Sequence, residues 1–197
     1  MTLVTEIIPK EIRSLGPTLV AGVGYLGAGV AYFTQEWFDW RTAYFVGGGM
    51  GLLLLLLRIS VFESGLFLEL KEQKVSRGNY FYFFSSWPRF IKYFRCVMIG
   101  VPTWFVVGIL GTFGNEFGKA LGIAETISPG KCVMFIYLGL TAGDFFSGPL
   151  SQWLHSRRKA IIYLMFAGAI CAGIYLYGGV TSSTSLYIIC FLSGICT

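Results

Sequence analysis

Asp144 is the residue whose position points most directly to chemistry, because it is the one charged side chain in the apolar stretch from Cys132 to Ser156. A carboxylate in an apolar segment of membrane-spanning length is costly, and such residues mark solute pathways, proton relays or paired structural sites. At helical spacing, one face of this stretch is polar along its whole length. That face carries Tyr137, Thr141, Asp144, Gly148, Ser151 and His155.

Two roles for Asp144 remain open from the sequence. Its carboxylate is either part of a wet cavity wall that handles a solute or proton, or a structural acid bonded to a neighbouring helix or to backbone. Thr141 and Tyr137 join it as candidate residues of a solute or ion pathway, and Tyr25 and Trp104 are further candidates in other apolar stretches.

Other reactive residues predict no catalysis. None of the five cysteines has C-x-x-C spacing, and we interpret them as small apolar packing residues. His155 is the one histidine, so we predict no metal site and no cofactor. G-x-S-x-G, H-E-x-x-H and a pair of acids within the apolar stretches are all absent from the sequence. The sequence therefore predicts that the protein is not an enzyme.

A glycine pattern near the start matches the dinucleotide-binding fingerprint at Gly22, Gly24 and Gly27. That fingerprint needs a preceding strand and a helix that begins at the glycines, whereas these lie within an uncharged stretch. We interpret them, with Gly29, as sites of close helix packing. The same interpretation applies to a second set, Gly47, Gly48, Gly49 and Gly51.

The composition identifies the class of protein. Hydrophobic residues make up 55% and charged residues 13% of the 197, and the mean hydropathy is +0.68. Soluble domains carry about 25% charged residues. These values exclude a disordered protein and a nucleic-acid-binding domain, argue against a soluble enzyme, and predict an integral membrane protein.

Apolar stretches long enough to cross a bilayer recur along the chain. We predict an all-α, polytopic transmembrane helix bundle with five full spans and a sixth that begins near Leu186. The fifth and sixth spans are divided at Gly178-Gly179 and the hydroxyl-rich run from Thr181 to Ser185. The sixth has twelve residues before the chain stops, which predicts an internal fragment of a longer protein. The full spans begin at the uncharged stretches that start with Ser14, Thr42, Cys96, Cys132 and Ala160.

The distribution of cations predicts the orientation. With spans alternating in direction, twelve of the fifteen lysines and arginines fall on one side of the membrane. The other three, Arg41, Lys119 and Lys131, fall on the opposite side. Cytoplasmic loops carry the excess of Lys and Arg, so the N-terminus and the long loop after the second span are predicted to be cytoplasmic.

This long loop, residues 63–95, ends in alternating aromatic and basic residues. Phe90, Tyr93 and Phe94 alternate there with Arg89, Lys92 and Arg95. The pattern predicts an amphipathic helix in the lipid headgroup layer. Single-stranded nucleic-acid binding uses the same residue types. The adjoining apolar span favours the lipid bilayer, and we predict no nucleic-acid partner.

Short motifs on the predicted cytoplasmic side resemble those of the major facilitator superfamily, and most closely its sugar and metabolite porter branch. They are E-x-x-P-x-x-x-R from Glu6 to Arg13, Glu63-Ser64 after the second span, and a Gly148 to Lys159 loop with paired arginines. Trp40-Arg41 opens the second span. The motifs depart from the family pattern at Ser14, at the residues flanking Glu63-Ser64, and at Gln152 and Ser156.

The resemblance implies a domain division. Residues 1–62 would be the last two helices of an N-terminal bundle, and residues 63–95 the cytoplasmic interdomain loop with its interfacial helix. Residues 96–197 would be the first four helices of a C-terminal bundle, the last one truncated. The spans would then be helices five to ten of twelve.

The resemblance also implies a function, a secondary active transporter of a small polar solute such as a sugar or organic acid. It would work by alternating access, as an ion-coupled symporter that uses protons, in the bacterial inner membrane. A charge network would lock one state through Glu6, Arg13, Glu63, Arg157 and Arg158. The alternatives are that these are topology charges only, and that the protein is a non-transporting receptor or assembly subunit on the same scaffold.

Overall fold

The computed structural model describes residues 15–59 and 80–197, except for the side chains of Leu15, Tyr82 and Arg157. Within these two ranges the ordered elements are helical and none is a strand, which confirms the predicted all-α class. The helices are α1 (Leu15–Tyr25), α2 (Gly27–Trp37), α3 (Trp40–Ile59), α4 (Trp87–Phe105), α5 (Gly114–Ala120), α6 (Pro129–Trp153), α7 (Arg157–Tyr177) and α8 (Ser183–Ile195).

Four helical segments of the described chain are long and apolar enough to cross a membrane. They are Trp40–Ile59, Trp87–Gly111, Pro129–Trp153 and Arg158–Tyr177, with mean hydropathies between 1.3 and 2.0. Helix α8 is shorter, with 13 residues. The loop that separates α7 from α8 contains Gly179 at a φ of +65°, so the predicted break at the Gly178-Gly179 pair is confirmed.

The first predicted span is not one regular helix but two helices of 11 residues each, α1 and α2. They meet at Leu26, whose carbonyl accepts from both the Gly29 and the Val30 amides, at 3.0 and 3.3 Å. Glycines flank this point, and sequences rich in glycine are frequent sites of helix bends. The sequence predicted the span but missed the interruption.

Helix α4 continues into a π-helical segment, Val106–Gly111, that the sequence did not predict. Pro102 lies one turn earlier and cannot donate a backbone hydrogen bond. The buried hydroxyl of Tyr175 on α7 donates to the Leu110 carbonyl at 3.0 Å. The Thr112 hydroxyl donates to the Val107 carbonyl at 3.3 Å. Side chains therefore satisfy carbonyls of the widened turn.

Helices α6 and α8 approach each other at glycines. A Cβ atom built on Gly139 would lie 2.9 Å from the Cα of Gly194, and one built on Gly143 would lie 2.6 Å from the Ile195 carbonyl oxygen. Gly139 and Gly143 form a G-x-x-x-G spacing, which lets helix backbones approach closely in membranes. The sequence analysis did not predict this contact, although the spacing of Gly139 and Gly143 is the signal for it.

The two glycine clusters predicted to pack closely, Gly22 to Gly29 and Gly47 to Gly51, make no close contact with another described helix except at Gly22. A Cβ atom at Gly24, Gly27 or Gly29 meets nothing within 4 Å, and the same holds for the glycines of α3. Only Gly22 contacts α6, with Phe145 3.4 Å from its built Cβ. The predicted close packing is therefore wrong for the described helices at every glycine of the two clusters except Gly22.

The buried core lies between α4, α6, α7 and α8. It is aliphatic apart from Tyr175 and two thiols, those of Cys132 and Cys190, which is consistent with cysteines as packing residues. Cys132 has no exposed surface. Leu110, Ile136 and Leu186 are almost fully buried around it. This core fixes the position of α6, the helix that carries Asp144.

Candidate functional site

The candidate site lies where α1 packs against α6. The Thr141 hydroxyl on α6 lies 3.0 Å from the Tyr137 carbonyl and 3.3 Å from the Gly22 carbonyl on α1. The rings of Tyr25 and Tyr137 meet across the same interface, with centroids 5.7 Å apart. Two helices distant in sequence thus share one polar contact.

Asp144 lies one helical turn beyond Thr141 on the same face of α6. Its Oδ2 atom is buried and has no hydrogen-bond partner within residues 15–59 and 80–197. The Ser147 hydroxyl donates instead to the Asp144 backbone carbonyl, at 3.0 Å. A buried carboxylate oxygen without a partner is costly unless water, a proton or a ligand satisfies it. The described structure therefore leaves one carboxylate oxygen at this interface unsatisfied.

A cavity of about 730 Å³ opens beside Asp144 toward the C-terminal end of α6. Thr18 and Leu19 of α1 form one wall, and the start of α7 forms another. Its polar lining on or just after α6 is Asp144, Ser147, Ser151, Gln152, His155 and Ser156. Most of the polar face predicted from the sequence thus borders this space, which is large enough for a small polar solute.

A second cavity, of about 520 Å³, lies on the other side of the tyrosine pair. Tyr25 and Tyr137 line it together with Tyr32, Gln35 and Val133. Both tyrosines belong to this second cavity, whereas Asp144 borders the first. The α1–α6 interface therefore has polar spaces toward both ends, with Thr141 and Gly22 in contact between them.

Four of the five predicted pathway residues come together at this interface, and Trp104 does not. Trp104 is 70% exposed on α4, where it lines a separate groove with Cys96, Gly100 and Phe105. None of the residues lining that groove belongs to α1 or α6. Trp104 was predicted from its residue type and its place in an apolar span. Neither of these specifies which face of the helix it occupies.

Most of the predicted cytoplasmic gate charges lie outside what the structure describes. Glu6, Arg13 and Glu63 fall in residues 1–14 and 60–79. The backbone of Arg157 begins α7, and Arg158 beside it is exposed. The charge network remains a prediction.

The loop between α6 and α7 contains one residue with a left-handed backbone. His155 adopts a φ of +49°, the left-handed region that favours glycine. Ser156 is extended and caps α7, its hydroxyl accepting from the Lys159 amide at 3.5 Å. In this loop His155, and not Ser156, therefore has the backbone conformation that glycine favours. Histidine is among the non-glycine residues that are enriched in this backbone conformation.

At the opposite end, a carboxylate ties the loop before α6 to the start of α8. Glu125 accepts from the Ser183 amide at 3.1 Å and also from the Ser183 hydroxyl. These hydrogen bonds lower the pKa of the Glu125 carboxyl below its usual value, although the group is exposed. The Tyr187 hydroxyl accepts from the Ser128 amide at 3.2 Å in the same region. The loop is thus fixed on the bundle that contains α6 and α8.

The described residues offer no metal site. No group of three or more His, Cys, Asp or Glu side chains within residues 15–59 and 80–197 is arranged to hold an ion. One buried carboxylate, a threonine hydroxyl and two tyrosines suit hydrogen bonding to a polar solute or transfer of a proton. The fold and site together define a polytopic α-helical membrane protein with a polar space between two packed helices.

Comparison with protein families agrees with this class. The family model of the Major Facilitator Superfamily matches residues 1–197, the whole length of the chain. The chain therefore belongs to the Major Facilitator Superfamily, a family of membrane transporters, and the resemblance read from its motifs is confirmed. No curated protein and no solved structure matched it.

Proposed function

We propose that the protein is a secondary active transporter that moves a small polar solute, such as a sugar or organic acid, in symport with an ion. The observation that carries the proposal is the unpartnered Oδ2 atom of Asp144 beside a cavity of about 730 Å³. Transporters place substrate and coupling-ion sites near the membrane midplane, where polar groups line a cavity between repeats. A proton or a solute hydroxyl satisfies the carboxylate in this account.

Alternating access supplies the mechanism. Helices α1 and α2 belong to the proposed N-terminal bundle, and α6 belongs to the C-terminal bundle. Between α1 and α6 the structure shows a hydrogen bond from Thr141 to the Gly22 carbonyl and a ring contact of Tyr25 with Tyr137. In the proposed cycle the two ends of this interface open in turn. A solute that contacts Asp144 differently in the two states shifts their populations.

The proposed setting is a bacterial inner membrane with the α6–α7 loop in the cytoplasm. The charge network of Glu6, Arg13, Glu63 and the arginines that begin α7 would then stabilise the state closed to the cytoplasm. Exposed ion pairs contribute about 0–1 kcal/mol each, so several must act together. In this account Asp144 lies nearer the cytoplasmic end of α6.

The orientation predicts a labelling pattern. Cys132 is fully buried, so an outer-face thiol must be introduced, and Thr126 in the exposed loop before α6 is suitable. In intact cells, an impermeant maleimide should modify Thr126→Cys and spare Cys96, which is exposed on α4. Permeabilised cells should show modification of both thiols. Labelling of Cys96 alone in intact cells would reverse the proposed orientation.

Transport itself is tested by solute accumulation. The full-length protein in proteoliposomes should concentrate at least one member of a panel of sugars and organic acids when a proton gradient is imposed. Mass spectrometry of the vesicle contents identifies the solute, and a protonophore should abolish its accumulation. Protein-free liposomes are the control. A correctly inserted protein that moves no solute under any ion gradient favours the receptor or assembly-subunit alternative.

A further inference from the structure

The first turns of α4 carry three cations on one face. Arg89, Lys92 and Arg95 are all exposed. At about 100° per residue they fall within an arc of roughly 120°. No acidic residue occurs in the sequence between Glu72 and Glu116. The guanidinium of Arg89 lies 3.4 Å from the Ser85 hydroxyl, which places a second polar group beside the cations.

The opposite face of the same turns is aromatic. Phe90 stacks with Trp87 and Phe94, at centroid distances of 5.6 and 6.0 Å, and contacts Phe84 at 5.7 Å. Phe83, from the short 3₁₀ turn Tyr80–Phe83, stacks on Tyr93 at 5.1 Å. These contacts fix the segment before α4 against the helix. The cations and the stacked rings thus form a two-sided surface, which we call the α4 entry surface.

The placement of this surface relates it to a membrane boundary. Helix α4 begins at Trp87 and continues without a break through the apolar residues that follow Arg95. At about 1.5 Å per residue, the three cations lie within roughly 10 Å of the start of the uncharged stretch. Aromatic side chains with exposed edges, such as Trp87 at 71% exposure, are enriched at membrane interfaces. Cations at this depth reach the phosphate layer.

We propose that the α4 entry surface binds the phosphate groups of anionic phospholipids, with Arg89, Lys92 and Arg95 as the binding residues. Clusters of Lys and Arg beside a membrane span attract anionic lipids. Nucleic-acid platforms use the same residue types. Here the cations lie on the first turns of an apolar segment of membrane-spanning length, Trp87–Gly111, so the surface favours a charged lipid over a single-stranded nucleic acid.

Native mass spectrometry of the full-length protein, released from mixed phosphatidylcholine and phosphatidylglycerol nanodiscs, tests this proposal. The wild type should retain phosphatidylglycerol preferentially, and the triple variant R89Q/K92Q/R95Q should lose that preference. The expected loss of affinity is about fivefold for each cation removed. The matched control R41Q/K119Q/K131Q removes the same charge from the other end of the bundle and should behave as the wild type.

A second variant separates charge from folding. R89K/R95K keeps both charges and should retain the anionic lipid, while high salt should weaken retention in the wild type. Equal lipid retention by the wild type and the triple variant would overturn the proposal. So would displacement of bound phosphatidylglycerol by a single-stranded oligonucleotide, which would identify the surface as a nucleic-acid platform.

Discussion

Replacing Asp144 by Asn should reduce solute transport by about 10- to 100-fold, because hydrogen bonds to charged groups contribute about 1.5–3 kcal/mol. The substitution keeps the shape of the side chain and removes its charge and its ability to exchange a proton. Oδ2 of Asp144 is already without a hydrogen-bond partner in the described structure, so folding should not depend on it. Initial rates in proteoliposomes, normalised to inserted protein, give the effect.

Asp39→Asn is the matched control, because Asp39 is an exposed acid between α2 and α3. It should transport at the wild-type rate. If Asp144 is instead a structural acid, D144N should lower expression and melting temperature, and the rate per folded molecule should be unchanged. Normal amounts together with normal transport would refute a pathway role for Asp144.

Gly139→Ala should destabilise the bundle by about 1–3 kcal/mol, the usual cost of forcing an extra carbon into a packed contact. The methyl group would lie 2.9 Å from the Gly194 Cα, where the clash is with backbone rather than with a flexible side chain. Gly194→Ala should behave alike, since its Cβ would lie 3.0 Å from the Cα of Gly139. Thermal melting of the detergent-solubilised protein measures the change.

Gly48→Ala is the control for this pair, since a Cβ atom there meets nothing within 4 Å. Alanine is favoured over glycine in a helix by about 1 kcal/mol, so this variant should melt at or above the wild-type temperature. Alanine should therefore lower the melting temperature at Gly139 and Gly194, and leave it unchanged or raise it at Gly48. If G139A and G194A melt like the wild type, the close α6–α8 contact is not present in the protein.

The amino-acid sequence predicted the architecture because membrane spans depend on long apolar stretches, which a single sequence shows directly. The break before α8 was predictable because the Gly178-Gly179 pair and the hydroxyl-rich run after it interrupt the last apolar stretch. The interruption of the first span at Leu26 was missed because its flanking glycines, Gly24 and Gly27, were interpreted as sites of helix packing. The π-helical turn of α4 depends on Tyr175 from α7, a tertiary contact that no local pattern reports.

The part of the candidate site that lies on a single helix face was predictable from the sequence. Tyr137, Thr141 and Asp144 share a face of α6 because helical spacing dictates it. The partner helix was not predictable in this way: Gly22 contributes a backbone carbonyl, a group that every residue has. Trp104 is the opposite case. Its residue type is suited to the wall of a cavity, but the side chain is exposed on α4 and does not border the site.

Alternating access is tested most directly by a cross-link at the end of the interface farther from Asp144. A Cβ atom on Gly130 of α6 would lie 3.1 Å from the Oε1 atom of Gln35 on α2, so a Q35C/G130C pair can be joined by a short, impermeant bifunctional thiol reagent. Glu125 and Ser183 touch within one bundle, so an E125C/S183C pair is the matched control.

The measurement is solute uptake before and after cross-linking in vesicles, with a cleavable linker, in a Cys96→Ser background. Our account predicts that joining residues 35 and 130 abolishes uptake and that cleaving the linker restores it. Joining residues 125 and 183 should leave uptake unchanged, because that contact does not open. Undiminished uptake with residues 35 and 130 joined would contradict alternating access across this interface.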